Sequence, residues 1–151
     1  MTEQLTSRGA FVRDDNSVPI TGLGLIAPKA ITYSALTTGA VGTTTLFTVT
    51  GTVALTIFAI ASGTDLTGLG TIEVGIAGNT AALIAQTAAT AIDDGEFWYD
   101  GTPVTVGVMP AQKIVNVDVI QTIATNTVTA GTLTYYCLWT PVSTNGNVVA
   151  A

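Results

Sequence analysis

From about Ile31 onward the chain is a series of short runs rich in β-branched and aromatic residues: TTLFTVTG, TVALTIFAIASG, TIEVGIAG, PVTVGVMP, KIVNVDVIQTIA and TLTYYCLWTP. Gly, Pro, Asn and Asp punctuate them, which is the pattern of strands joined by turns. Several runs alternate with a period of two, so each presents one apolar face. Val53, Leu55, Ile57 and Ala59 share a face, as do Ile72, Val74 and Ile76, with Glu73 turned outward. Val115, Val117 and Val119 alternate with Asn116 and Asp118, and Leu133, Tyr135, Cys137 and Trp139 form a fourth apolar row. Short alternating strands in series predict an all-β fold, an antiparallel β-sandwich or jelly-roll-like barrel.

Two segments depart from this pattern. GNTAALIAQTAATAIDDG is alanine-rich and lacks alternation. It predicts one short helix over Ala81–Gln86, capped by Asn79 or Thr80 and packed over one end of the sandwich. Residues 1–28 are polar, contain Pro19, Pro28 and glycines at 9, 22 and 24, and show no sustained period. They read either as a tail or as an extended N-terminal arm lying on a neighbouring subunit, with the β-sandwich domain spanning 29–151.

A sandwich of this size needs a wetted surface, and here the composition is unusual. Only 9% of the 151 residues are charged, against about 25% in an ordinary soluble domain. Either threonine hydroxyls cover much of the surface or other chains bury much of it, and a mixture of the two is expected. The charge is also uneven. From residue 30 onward Lys113 is the sole cation against seven acids, Asp65, Glu73, Asp93, Asp94, Glu96, Asp100 and Asp118. Such a surface repels phosphate backbones and argues against nucleic-acid binding. The start, MTEQLTSRGAFVRDD, has no apolar core of a signal peptide, and the longest mostly apolar run, VALTIFAIA, is too short to span a bilayer as a helix. No membrane association is expected.

Catalytic chemistry finds little to work with. The chain has no histidine, the usual general base and commonest metal ligand. Cys137, the single cysteine, therefore has no imidazole to activate it, and it falls in the apolar row of its strand, where a thiol packs as a small hydrophobe. Asp93, Asp94, Glu96 and Asp100 lie close together and could serve a hard cation or a small hydrolase, but Phe97, Trp98 and Tyr99 interrupt them and no EF-hand spacing exists. The expectation is a solvated loop anchored to the core by its aromatics. GLGTIEVG places Glu73 where a dinucleotide fingerprint needs its last glycine. The residues predict a protein that is not an enzyme and binds no cofactor or metal. Phe97, Trp98 and Tyr99 beside acids remain a candidate ligand or partner contact, suited to a sugar.

The block TGTVALTIFAIASG, followed by TIEVGIAGNTAALIAQTAATAID, an acidic-Gly-Glu turn and Trp98, and the ending GTLTYYCLWTPVSTNGNVVAA with its aromatic-Cys-x-Trp-x-Pro run, resemble small virion proteins of tailed bacteriophages of the capsid-decoration, or cement, type. The resemblance implies a β-rich, non-enzymatic structural protein that binds the outer surface of the major capsid protein shell, as a homo-oligomer, commonly a trimer. The capsid contact is then expected in the arm, at Phe11, Val12, Arg13, Val18, Pro19, Ile20, Leu23, Leu25 and Pro28. Thr43–Thr50 and Val53–Ala61 are expected to supply core and subunit interface. The alternative is a head-fibre, spike or tail-associated protein that recognises a host-surface glycan through Phe97, Trp98 and Tyr99.

Overall fold

A computed structural model describes residues 25–151 in full, and before them only the backbone of two short antiparallel strands, Val12–Arg13 (β1) and Pro19–Ile20 (β2). Of the expected arm contacts, Phe11, Val18 and Leu23 lie outside the described residues, as do the side chains of Val12, Arg13, Pro19 and Ile20. The remaining strands are β3 (Leu25–Thr32), β4 (Gly42–Thr50), β5 (Val53–Ala61), β6 (Thr67–Gly68), β7 (Thr71–Ile76), β8 (Asn79–Ala88), β9 (Phe97–Trp98), β10 (Lys113–Val115), β11 (Val119–Ala124), β12 (Val128–Ala130), β13 (Thr132–Pro141) and β14 (Asn147–Ala150).

These form an antiparallel β-sandwich. One sheet has the order β10-β5-β13-β3, with β9 also paired to β5; the other has the order β14-β4-β11-β7-β8. A small ribbon joins β12 to β6. The long strands β5 and β13 lie side by side at the centre of the first sheet. Their register sets Cys137 opposite Ile57, Tyr135 opposite Ala59 and Leu133 opposite Ala61, so large side chains meet small ones. Their inward rows pack on Leu46, Phe47, Ile72, Val74 and Ile123 of the facing sheet, all buried. Each such aliphatic or aromatic residue contributes about 1.5–3 kcal/mol when fully buried. Leu46 and Phe47 are adjacent in sequence yet both buried, because a bulge shifts the β4–β11 register at this point.

The sandwich begins at Leu25, not at residue 29. β13 pairs with Leu25, Ile26, Ala27 and Pro28 in unbroken register. Pro28, which reads as a strand breaker, is tolerated because β3 is an edge strand and its missing N–H leaves no gap between paired strands.

The expected helix is absent. Asn79–Ala88 is a strand, β8, followed by a single 3-10 turn at Ala89–Ala91. Its ten residues pair with the six of β7, and the register slips twice, between Ile72 and Val74 and between Val74 and Ile76. The surplus residues bulge, which erases the alternation that marks a strand in sequence. Gly75 faces this bulge. A Cβ there would lie 2.2 Å from the Asn79 carbonyl oxygen, so the crossing backbone excludes any side chain.

Two further runs differ from expectation. KIVNVDVIQTIA is divided between two sheets: β10 belongs to one and β11 to the other, with Asn116–Asp118 forming the corner. Asp118 Oδ1 accepts the Val49 N–H at 2.9 Å, and Val117 is exposed rather than in the core. PVTVGVMP is an irregular loop with one isolated bridge, Val104 to Phe97. Glu73 lies on the opposite face of β7 from Ile72 and Val74, but it is only 8% exposed rather than solvated.

Candidate functional site

Alternation assigns the three aromatics after Glu96 to opposite sides of the first sheet. β9 pairs with β5 through Trp98 opposite Ala59 and Phe97 opposite Ile60. Trp98 therefore turns inward and is fully buried. Its indole N–H donates to Thr87 Oγ1 at 2.8 Å, and its ring meets Tyr135 edge-on with centroids 6.3 Å apart. The Thr87 hydroxyl in turn donates to the Ala85 carbonyl at 3.0 Å. Trp98 is thus a core residue whose polar atom is satisfied internally; it anchors the loop to the core, as expected of these aromatics, and leaves the candidate ligand contact to Phe97 and Tyr99.

Phe97 and Tyr99 turn outward. Phe97 packs edge-on to Phe58 at 6.5 Å, and Phe58 stacks on Tyr136 at 5.3 Å. Phe58, Phe97 and Tyr99, with Gly107, Val108, Met109 and Pro110, line an open depression of about 140 Å³. Thr56 Oγ1 fixes its rim by donating to the Pro110 carbonyl at 2.7 Å. A Cβ at Gly107 would sit 2.4 Å from Tyr99 Cε1, so any side chain there would displace the Tyr99 ring. The lining offers aromatic and aliphatic surface and a tyrosine hydroxyl, with no charged group.

The depression is one end of a larger surface. The outward residues of the first sheet run in cross-strand rows: Ile26, Leu138 and Thr56; Pro28, Tyr136 and Phe58; Ala30, Thr134, Ile60 and Phe97. Ile114 extends the face beside Ala54. None of these is charged. The outward face of the second sheet is different, carrying Thr48, Thr50, Thr71, Thr122 and Glu73, with Thr43 and Thr122 hydroxyls 3.4 Å apart. Both outward faces carry threonines, Thr132, Thr134 and Thr140 on the first among them, and the second also bears Ile120 and Val149, but the aromatic groups gather on the first sheet. Of the two strands expected to build core and interface, Val53–Ala61 has an apolar outward face, whereas Thr43–Thr50 has a hydroxylated one.

The charged residues are occupied elsewhere. Lys29 Nζ donates to the main-chain oxygen of Ala151, and Lys113 Nζ to that of Ala82. Each lysine sits on an edge strand of the first sheet and reaches a main-chain oxygen at an edge of the second. In the acidic stretch, Asp94 Oδ1 accepts the Gly63 N–H at 2.7 Å, Glu96 Oε2 the Asp93 N–H at 3.1 Å and Asp100 Oδ1 the Thr102 N–H at 2.7 Å. Asp65 Oδ1 accepts the Asp94 N–H at 2.8 Å. The carboxylates cap loop amides instead of converging. Among the described residues no three Asp, Glu or Cys side chains come together as metal ligands would.

Cys137 is buried in the row expected of it, and burial pushes its thiol up to about 12. It stays protonated at neutral pH, so it is no nucleophile. A second buried polar group was not legible in sequence. The Tyr33 and Tyr135 hydroxyls lie 2.9 Å apart, and each reaches Gln121 Oε1, at 2.7 and 2.6 Å. Burial raises both tyrosine pKa values. Tyr135 belongs to one sheet, Gln121 to the other, and Tyr33 follows β3, so the cluster bridges the sandwich.

No helix among the described residues is long and apolar enough to cross a membrane. In comparisons with known proteins, no family model, no curated protein and no solved structure matches the chain.

Proposed function

We propose that this chain is a non-enzymatic virion structural protein that decorates a phage capsid and stabilises it by binding the outer surface of the major capsid protein shell. The observation that carries this reading is the asymmetry of the sandwich: an acidic chain keeps one whole sheet face free of charge and rich in aromatics. Interface cores are depleted in charge and enriched in aromatics and methionine. The thiol is buried in the core, Lys29 and Lys113 donate to main-chain oxygens, and the carboxylates of Asp65, Asp94, Glu96, Asp100 and Asp118 accept main-chain amides, which suits a binding role better than a reaction. The sequence blocks shared in style with cement proteins supply the shell as partner.

The mechanism is linkage. A protein that binds the assembled shell but not its separated subunits stabilises the shell by mass action, and symmetry repeats the effect at every site. The net charge of −6 suits an outward position, away from packaged DNA. Shell contact falls to the arm ahead of β3, from Phe11 to Leu23, and self-association to the sandwich, whose strand β3 takes Leu25 and Pro28. The test is the copy number per particle by quantitative mass spectrometry, with a deletion of residues 1–24 that leaves β3 in place. Many copies in fixed ratio to the major capsid protein, and loss of shell binding on deletion, are expected. Absence from the particle overturns the proposal.

The glycan-binding alternative keeps Phe97 and Tyr99 on the surface but loses Trp98 to the core. A few copies per particle, with a glycan-array signal removed by Tyr99→Ala, would favour it.

A further inference from the structure

We infer that the outward face of the β10-β5-β13-β3 sheet, with the loop over residues 106–110, is where copies of this chain bind one another. The inference uses the reading above only in taking the chain as an assembly component. It assigns this face to self-association and leaves the shell to the arm.

Exposure is the first argument. Ile26 is 61% exposed, Ile114 72%, Val108 75% and Met109 56%. They are not scattered: they flank the half-buried Phe58 and Tyr136 on one continuous surface. Single exposed apolar residues are ordinary, whereas a contiguous patch marks an interaction site.

Electrostatics selects the occupant. A chain of net charge −6 repels its own copies unless they meet where no carboxylate lies. Among the described residues the acids sit in the Asp93–Asp100 stretch, at Asp65, at the Asp118 corner and on the outer face of the other sheet, as Glu73. Two or three of these faces can meet around a symmetry axis with Asp65, Glu73 and Asp118 outside the contact and the Asp93–Asp100 stretch, whose Asp94, Glu96 and Asp100 carboxylates bond to loop amides, at its rim. A basic partner, by contrast, would find no anion on this face to pair with.

Size agrees. Three strands of eight to ten residues and the three-residue β10, about 4.8 Å apart at about 3.3 Å per residue, give a flat area of roughly 500 Å². Side-chain relief and the adjoining loop raise the accessible area toward the ~800 Å² per partner of a standard interface.

The experiment is sedimentation equilibrium of the full chain at low and high salt, beside the double variant Ile26→Glu/Ile114→Glu. Both positions are exposed, so the variant should keep the far-UV circular dichroism and melting temperature of the wild type. A second variant, Leu36→Glu, places the same charge on an exposed residue away from the face. We expect the wild type to associate, more strongly at high salt as self-repulsion is screened. The double variant should weaken association at least tenfold, and Leu36→Glu should leave it unchanged. A wild-type monomer at both salt concentrations overturns the inference, as does association that survives the double variant. If the wild type is monomeric and the double variant loses only shell binding, the face belongs to the shell, and the decoration reading survives without this inference.

Discussion

The hydroxyls of Tyr33 and Tyr135 stand 2.9 Å apart inside the sandwich, and both reach the side-chain oxygen of Gln121 on the facing sheet. Three polar groups are buried here in each other's company. Removing one strands the others: an unsatisfied buried partner costs about 1–3 kcal/mol. Tyr33→Phe and Gln121→Leu are therefore each expected to lower stability by about that amount. The triple change Tyr33→Phe/Tyr135→Phe/Gln121→Leu should cost less than the sum of the singles, because no orphan remains. Urea unfolding of the wild type, the three single variants, Tyr135→Phe included, and the triple variant measures this. Additive losses would mean that the groups act independently.

The same cluster makes stability fall in alkali. Burial raises the pKa of both tyrosines, and that of Cys137 to about 12. Each group stays protonated in the fold beyond the pH at which the unfolded chain releases its proton. Above the unfolded values, about 8.5 for the thiol and about 10 for tyrosine, the unfolded state binds fewer protons, so stability declines as pH rises. Urea midpoints should hold up to about pH 8.5 and then drop, with the steeper loss above about pH 10. Tyr33→Phe/Tyr135→Phe should flatten the upper part of that decline. An equal slope in this variant would show that other groups drive it.

Trp98 makes a separate prediction. Its N–H has Thr87 Oγ1 as acceptor inside the core. Thr87→Val keeps the shape but removes the acceptor, with an expected loss of about 1–3 kcal/mol. Trp98→Ala should cost about 3–5 kcal/mol, as large-to-small changes of a buried aromatic do. Chemical denaturation followed by circular dichroism tests both. A Trp98→Ala protein of unchanged stability would return this residue to the surface.

How much of this was legible in sequence depends on how regular each strand is. β5, β7 and β13 were readable because unbroken alternation buries one row, down to the place of Cys137. β8 was not, since two register slips scramble its period and leave an alanine-rich run that imitates a helix. β10 and β11 read as one strand because alternation carries through the corner at Asn116–Asp118. PVTVGVMP has strand composition, but Thr56 and Tyr99 hold it as a loop through contacts remote in sequence. In sequence Trp98 reads both as a core anchor and, with Phe97 and Tyr99, as a candidate ligand contact, because three adjacent aromatics look alike until a pairing register gives each its side. Tyr33 and Gln121 carry no local signal at all. Their meeting depends on how the two sheets face each other.

Gly75 tests why β8 is a strand. The bulged backbone at Asn79 and Thr80 occupies the space a Cβ would need, with the Asn79 oxygen 2.2 Å from its position. Neither contact is the end of a flexible side chain, so Gly75→Ala must push the hairpin apart. Strained small-to-large changes typically cost about 1–3 kcal/mol, and that loss is expected here. Gly78, in the adjoining turn at φ 87°, has open space around its Cβ position. Gly78→Asn should therefore cost far less, since asparagine tolerates the left-handed region. Hydrogen exchange localises the effect: Gly75→Ala should speed exchange along β7 and β8 while leaving the β5–β13 pair protected. Uniform acceleration across both sheets would mean that the hairpin is not a separable unit. Unchanged exchange would mean that the bulge does not press on Gly75.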